Sequence, residues 1–75
     1  MKDAHYFGTA DIELDPVLQF FDYQHLPDYL AIVSAKFAEL AEEIVAKVPR
    51  NAQRTQALNK LLEAKDCAVR AQLAE

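Results

Sequence analysis

The last third of the chain, residues 51–73, contains neither glycine nor proline and is rich in strong helix formers. This composition predicts one long helix over residues 51–74. At about 100° of rotation per residue, its large apolar side chains form one stripe, made of Leu58, Leu61, Leu62, Val69 and Leu73. A second stripe carries Ala57, Ala64 and Ala71 at the seven-residue spacing of closely packed helices. The helix therefore needs two partners, and we expect the second to be another copy of the chain.

Size and composition favour a single, self-associating domain over residues 1–75. A chain of 75 residues buries little of its own surface, and its one cysteine excludes an internal disulfide. Association of copies is the expected extra source of stability. No apolar run approaches the ~20 residues of a membrane span, and the N-terminus lacks the basic and apolar regions of a signal peptide. We predict a cytosolic protein with no membrane contact.

The net charge of -4 is unevenly distributed. Residues 1–28 contain one lysine and six acidic side chains, whereas residues 29–75 are close to neutral. An acidic chain without a basic run is poorly suited to DNA or RNA polymers, because such affinity depends on the number of phosphates neutralised. A few cations placed together can still hold a small anion.

The first half of the chain predicts a tail and a short helix. Residues 1–14 include the only glycine and have no sustained periodicity, so we expect a loosely ordered tail in which Ile12 and Leu14 are extended positions. Asp15 followed by Pro16 is a typical helix start, with Asp15 as the N-cap. A short helix over residues 15–22 is therefore predicted.

A long amphipathic helix is predicted over residues 27–48, between Pro27 and Pro49. Its expected buried face consists of Tyr29, Leu30, Val33, Phe37, Leu40, Ala41, Ile44 and Val48. Asn51 is a suitable N-cap for the following helix, and a connection of about three residues makes the two long helices antiparallel neighbours. The predicted fold is all-α: an antiparallel two-helix hairpin, preceded by a short N-terminal helix and completed by oligomerisation.

The reactive residue types do not form a catalytic or metal-binding pattern. Cys67 lies among alanines, so we interpret it as a packing residue and not as a nucleophile. His5 and His25 are twenty residues apart without a helical mate, which disfavours a zinc site. Ser34, the only serine, lies within a helix. We predict a protein that is not an enzyme and needs neither metal nor cofactor.

Cations near the second long helix are more informative. Arg50, Arg54 and Thr55 surround its N-terminus, where free N–H groups can bind an anion. A positive charge in a first turn opposes the helix dipole by roughly a few tenths of a kcal/mol, which suggests an outside reason for Arg54, such as an anion or a partner carboxylate. A phosphate site and a solvated basic turn both stay open. Lys65 falls within the large apolar stripe, so it either snorkels, pairs with a carboxylate of another element, or meets an anion.

Two planar side chains, Tyr23 and His25, lie on the connection before the first long helix. They can stack on a nucleobase, or they can simply cover the core of the hairpin. Sequence reasoning leaves both interpretations open.

Residues 21–71 resemble a group of small bacteriophage proteins. The resemblance rests on the aromatic start Phe21 to Tyr23, the turn Glu39-Leu40-Ala41, Pro49, and the run from Leu58 to Ala71, which matches LxKLxEAxxxAxRA. This group is similar to the phage anti-CBASS sponges, which are helical hairpins assembled as hexamers. The resemblance implies capture of cyclic di- and trinucleotide immune signals without cleavage.

The resemblance also implies a ligand-binding set. In that family a tyrosine before the first long helix and a lysine of that helix hold the cyclic dinucleotide, and the nearest positions here are Tyr23 and Lys36. The family's polar residue in the second helix corresponds to Asn59, and its basic turn to Arg50 and Arg54. The chain departs from the family at residues 66–68, where Asp-Cys-Ala replaces an aromatic residue and an asparagine.

Two other functions compete with a sponge. The apolar turn at residues 16–21 can dock on a host protein and block it, as a non-catalytic interaction module, or the chain can be a purely structural helical oligomer. Tyr23 and His25 beside Lys36, Arg50 and Arg54 favour a nucleotide ligand. The acidic net charge favours a protein partner.

Overall fold

Four helical segments make up the computed structural model, which describes residues 6–74. They are α1 (Thr9–Leu14), a 3-10 helix (Pro16–Phe21), α2 (Asp28–Lys47) and α3 (Ala52–Ala74). The described part of the chain contains no strand, and its helices pack on one another with a radius of gyration of 12.4 Å. The all-α prediction is confirmed. None of the described helices has the length and apolarity needed to cross a membrane.

The N-terminal segment differs from the predicted tail. Thr9–Leu14 is an α-helix, so the extended geometry expected at Ile12 and Leu14 is wrong. A six-residue helix is unstable alone, and here neighbouring contacts stabilise it: Phe7 is buried in the core just before it, and Ile12 packs against that core. Residues 1–5, including His5, lie outside the described part.

The 3-10 helix packs against both long helices. Leu18 and Phe21 are fully buried, and the segment contacts both α2 and α3. Asp15 occupies the predicted N-cap position and Pro16 begins the helix, but the Asp15 side chain makes no capping hydrogen bond. The Asp15 carboxylate is instead buried and pairs with a cation of α3.

The chain reverses between α2 and α3. Laid end to end these helices would extend about 65 Å, whereas the longest dimension of the molecule is 37 Å, and α3 packs alongside α2. The Arg54 N–H donates to Asn51 Oδ1 over 2.9 Å, which confirms Asn51 as the N-cap of α3. At the other side of the bend, the Val48 N–H donates to the Ile44 carbonyl.

The buried face of α2 is rotated from the predicted one. Its buried residues are Leu30, Ser34, Ala38 and Ala41, and Leu58 of α3 joins the same core. Tyr29 and Leu40, which were expected inside, are 51% and 47% exposed, and Val48 is exposed as well. The reason is steric, because the small residues of α2 leave room for Leu18 and Phe21 of the 3-10 helix.

Candidate functional site

The arginines of the predicted basic turn form hydrogen bonds within the chain. Arg54 is only 7% exposed, and its Nη2 donates to Asp15 Oδ2 over 2.5 Å. Its Nη1 donates to the carbonyls of Val48 (3.1 Å) and Val45 (3.4 Å), which lie at the C-terminal end of α2. A cation there satisfies carbonyls that lack helical partners and suits the negative end of the helix dipole.

The partner of Arg54 is therefore a carboxylate of its own chain. The outside anion or partner carboxylate expected for it is replaced by Asp15, which is itself 5% exposed. Because the guanidinium is buried, Arg54 is not placed to contact a ligand on the surface. This is a correction to the predicted ligand-binding set.

Arg50 supports the same junction from the surface. Its side chain is 57% exposed, and its Nη2 donates to the Leu14 carbonyl over 2.7 Å. Its Nε lies 3.9 Å from Asp15 Oδ1. The hydroxyl of Thr55 donates to the Asn51 carbonyl. Arg50 thus links the turn to the C-terminal end of α1. Of Arg50, Arg54 and Thr55, only Arg50 has a charged group exposed to solvent.

Tyr23 belongs to an aromatic cover on one side of the core. Its half-buried ring lies 5.4 Å from the Tyr6 ring, which meets the Phe7 ring edge-on at 5.2 Å. The Tyr6 hydroxyl donates to Glu42 Oε1 over 2.7 Å, and the Tyr6 N–H donates to Asp22 Oδ1 over 2.6 Å. The hydrogen bond to Glu42, with burial and the negative charge of that carboxylate, raises the pKa of Tyr6 to about 12.

His25 lines an open cavity of about 510 Å³ beside the 3-10 helix. The other lining residues are Gln19, Phe20, Asp22, Leu62, Lys65 and Asp66. Lys65 is a structural cation, because its Nζ donates to the Phe20 carbonyl over 2.8 Å and lies 3.8 Å from Asp66 Oδ1. The Lys65 side chain is 11% exposed and its main partner is a backbone carbonyl of another element, which is none of the three interpretations left open for it.

Sequence reasoning missed Phe20 as a wall of this cavity. Its side chain is 56% exposed although its neighbours Leu18 and Phe21 are fully buried. The available signal was the excess of apolar residues at 16–21, which one or two helical turns cannot all bury.

The six predicted ligand residues do not form one site within a single chain. Lys36 and Asn59 are both exposed, on α2 and α3 respectively. Lys36 lies about 120° around α2 from Glu42, whose carboxylate meets the aromatic cover that contains Tyr23. Lys36 and Tyr23 therefore lie on different sides of the molecule.

One side of the α2–α3 pair has no covering element among residues 6–74. The N-terminal segment contacts α2 near Glu42 and Val45, and the cavity beside the 3-10 helix borders α3 at Leu62 and Asp66. The surface that we call the open face lies roughly 140–180° around α2 from Glu42 and around α3 from Asp66. It consists of Tyr29, Val33 and Leu40 of α2 and of Ala57, Ala64 and Ala71 of α3, all exposed except the half-buried Val33.

No protein-family model, no curated protein and no solved structure matches this chain. Among the described residues, no group of three or more His, Cys, Asp or Glu side chains is placed to hold a metal ion.

Proposed function

We propose that this protein is a phage anti-defence sponge that binds cyclic di- or trinucleotide immune signals in the bacterial cytoplasm and releases them uncleaved. The ligand lies between copies of an antiparallel helical hairpin completed by oligomerisation, as a hexamer if the resemblance extends to assembly. One observation carries this arrangement: Tyr23 and Lys36 lie on different sides of α2, so both can contact one ligand only from different copies.

The chemistry of the exposed groups supports an anionic ligand with flat bases. Lys36 is exposed and forms no ion pair within residues 6–74, so its charge is available to a phosphate. Tyr23 and the exposed His25 supply rings, and stacking contributes on the order of 1 to 3 kcal/mol per base. Arg50 and Asn59 are exposed and complete the set, from which Arg54 is now excluded by its burial.

Thermal shift against a panel of cyclic di- and trinucleotides tests the proposal. A ligand at a hundred times its dissociation constant stabilises a folded protein by about 2.7 kcal/mol, which is easily measured. Chromatography of the released ligand should return it intact. Absence of binding at millimolar concentration would contradict the sponge, and a cleaved ligand would show that the protein is an enzyme.

A second candidate is a non-catalytic interaction module that blocks a host protein. It is favoured by Phe20, which is 56% exposed at the edge of a cavity that also carries Asp22 and Asp66. An apolar surface bordered by carboxylates suits a basic, apolar peptide segment. Substituting Phe20→Ser should abolish such docking, whereas Lys36→Ala, away from this cavity, should weaken nucleotide binding and leave docking unchanged, so this pair of variants separates the two functions.

A further inference from the structure

We infer that the open face is the docking surface for a second copy of this chain, with α2 of each copy lying antiparallel on α3 of the other. The inference specifies the self-association on which the proposed function rests, but it does not depend on the ligand.

The bend determines which residues of α2 and α3 lie at the same height along the helix axes. Residues equally distant from the bend are neighbours: Val45 accepts a hydrogen bond from Arg54, and Ala41 and Leu58 are both fully buried in one core. A two-fold axis that runs along the helices, between two open faces, exchanges α2 and α3 while keeping these levels. Each α2 residue then faces the second copy's α3 at the same height at which it meets α3 of its own copy.

In this arrangement large side chains meet small ones. Along the helix axes, the height of Tyr29 is within about two residues, or ~3 Å, of the height of Ala71 in the second copy. The same holds for Val33 with Ala64 and for Leu40 with Ala57. Alanines let a facing helix approach closely and leave space for the larger side chains opposite. Neither helix offers such complementarity to itself, because α2 presents mainly large residues and α3 mainly alanines.

The charges beside the open face are complementary in the same register. Lys60 lies level with Glu39 of the second copy and about one turn from Glu43. All three side chains are exposed, and none forms an ion pair within residues 6–74. Pairs at the rim of an interface select the orientation of the partner more than they add affinity.

The available area is sufficient for a specific dimer. α2 extends about 30 Å, and two adjacent helices are roughly 20 Å wide, so each copy offers about 600 Å². The total of about 1,200 Å² reaches the lower limit for stable, specific interfaces.

Sedimentation at micromolar concentration gives the first test. The unchanged protein should be at least a dimer, and Leu40→Glu should be a monomer with unchanged helical circular dichroism. Phe20→Glu is the matched control, because Phe20 is similarly exposed on the other side of the molecule, and it should stay associated. A monomeric unchanged protein, or association that survives Leu40→Glu, would overturn the inference.

Disulfide trapping tests the orientation in the full chain with Cys67→Ala. The pair Tyr29→Cys with Ala71→Cys should form a covalent dimer on mild oxidation, joined between residues 29 and 71 of different copies. Ala71→Cys alone should not crosslink, and a covalent dimer from it would mean that α3 packs on α3 and would overturn the proposed orientation. The charges give a third test, since Lys60→Glu should weaken association and Glu39→Lys with Glu43→Lys should restore it. A trapped dimer that binds no cyclic nucleotide would contradict the proposed function and leave this interface intact.

Discussion

The two sides of the α2–α3 pair differ in how far the rest of the chain covers them. On the side covered by the N-terminal segment, Arg54 meets a carboxylate and two helix-end carbonyls, and Tyr6 ties the segment to α2. On the open face, Tyr29 and Leu40 stay exposed beside a stripe of alanines. The covered side explains why a single copy folds, and the open face explains why we expect copies to associate. Substitutions on the two sides should therefore separate stability from assembly.

Breaking the Arg54 junction should have the largest effect on stability. Arg54→Leu leaves the Asp15 carboxylate buried without its partner, and removing one member of a buried pair costs about 3 to 5 kcal/mol. Urea unfolding at fixed protein concentration measures the loss of unfolding free energy. Arg50→Gln, on the exposed neighbour, should cost less than about 1 kcal/mol.

A double variant sharpens this result. Arg54→Leu with Asp15→Leu removes both charges, so it should be more stable than Arg54→Leu alone. If the double variant is no more stable than Arg54→Leu, the unpaired carboxylate is not the source of the cost, which then comes from the lost carbonyl contacts of Arg54.

Substitution on the open face should change assembly and leave the fold intact. Ala64→Leu or Ala64→Glu places a large or charged group where the facing helix approaches, and light scattering should report loss of the oligomer. Glu63→Leu, at the neighbouring rim position, should have little effect. Equal loss of assembly at both positions would contradict the distinction between the face and its rim.

Substitutions on both sides of α2 should weaken ligand binding, because the proposed site includes residues from both sides. Lys36→Ala should weaken binding of a cyclic dinucleotide at least tenfold, or about 1.4 kcal/mol, as measured by calorimetry. Arg70→Ala removes an exposed cation of α3 and is the matched control. Tyr23→Ala should cause a similar loss without changing the oligomer, and Tyr23→Phe, which keeps the ring, should bind normally.

The sequence predicted the helices better than their faces or contacts. Periodicity and prolines are local signals, and they identified both long helices and the N-cap Asn51. The rotation of α2 was missed because it depends on Leu18 and Phe21, which reach it from a different element. The sequence could not identify Asp15 as the partner of Arg54 for the same reason, since Asp15 is 39 residues away along the chain. The aromatic cover of Tyr23 likewise depends on Tyr6, within a segment that was expected to be a tail.

The smallest predicted effect concerns Tyr6 on the covered side, and it depends on pH. Tyr6→Phe removes the hydrogen bond to Glu42, which should cost about 0.5 to 1.5 kcal/mol at neutral pH. The pKa of Tyr6 is raised from 10.0 to about 12 in the folded protein, because the neutral hydroxyl donates to a carboxylate. Since the unfolded chain loses this proton first, the stabilisation is complete below pH 10 and disappears as the pH rises towards 12.

Unfolding of both proteins between pH 8 and about 12 tests this coupling. The difference in unfolding free energy between the unchanged protein and Tyr6→Phe should be constant up to about pH 10 and should then shrink. Leu40→Glu, on the open face, should show no comparable convergence with the unchanged protein in that range. A constant difference for Tyr6→Phe would mean that its hydroxyl does not hold the N-terminal segment on α2, and the contrast between the covered and open sides would then rest on Arg54 alone.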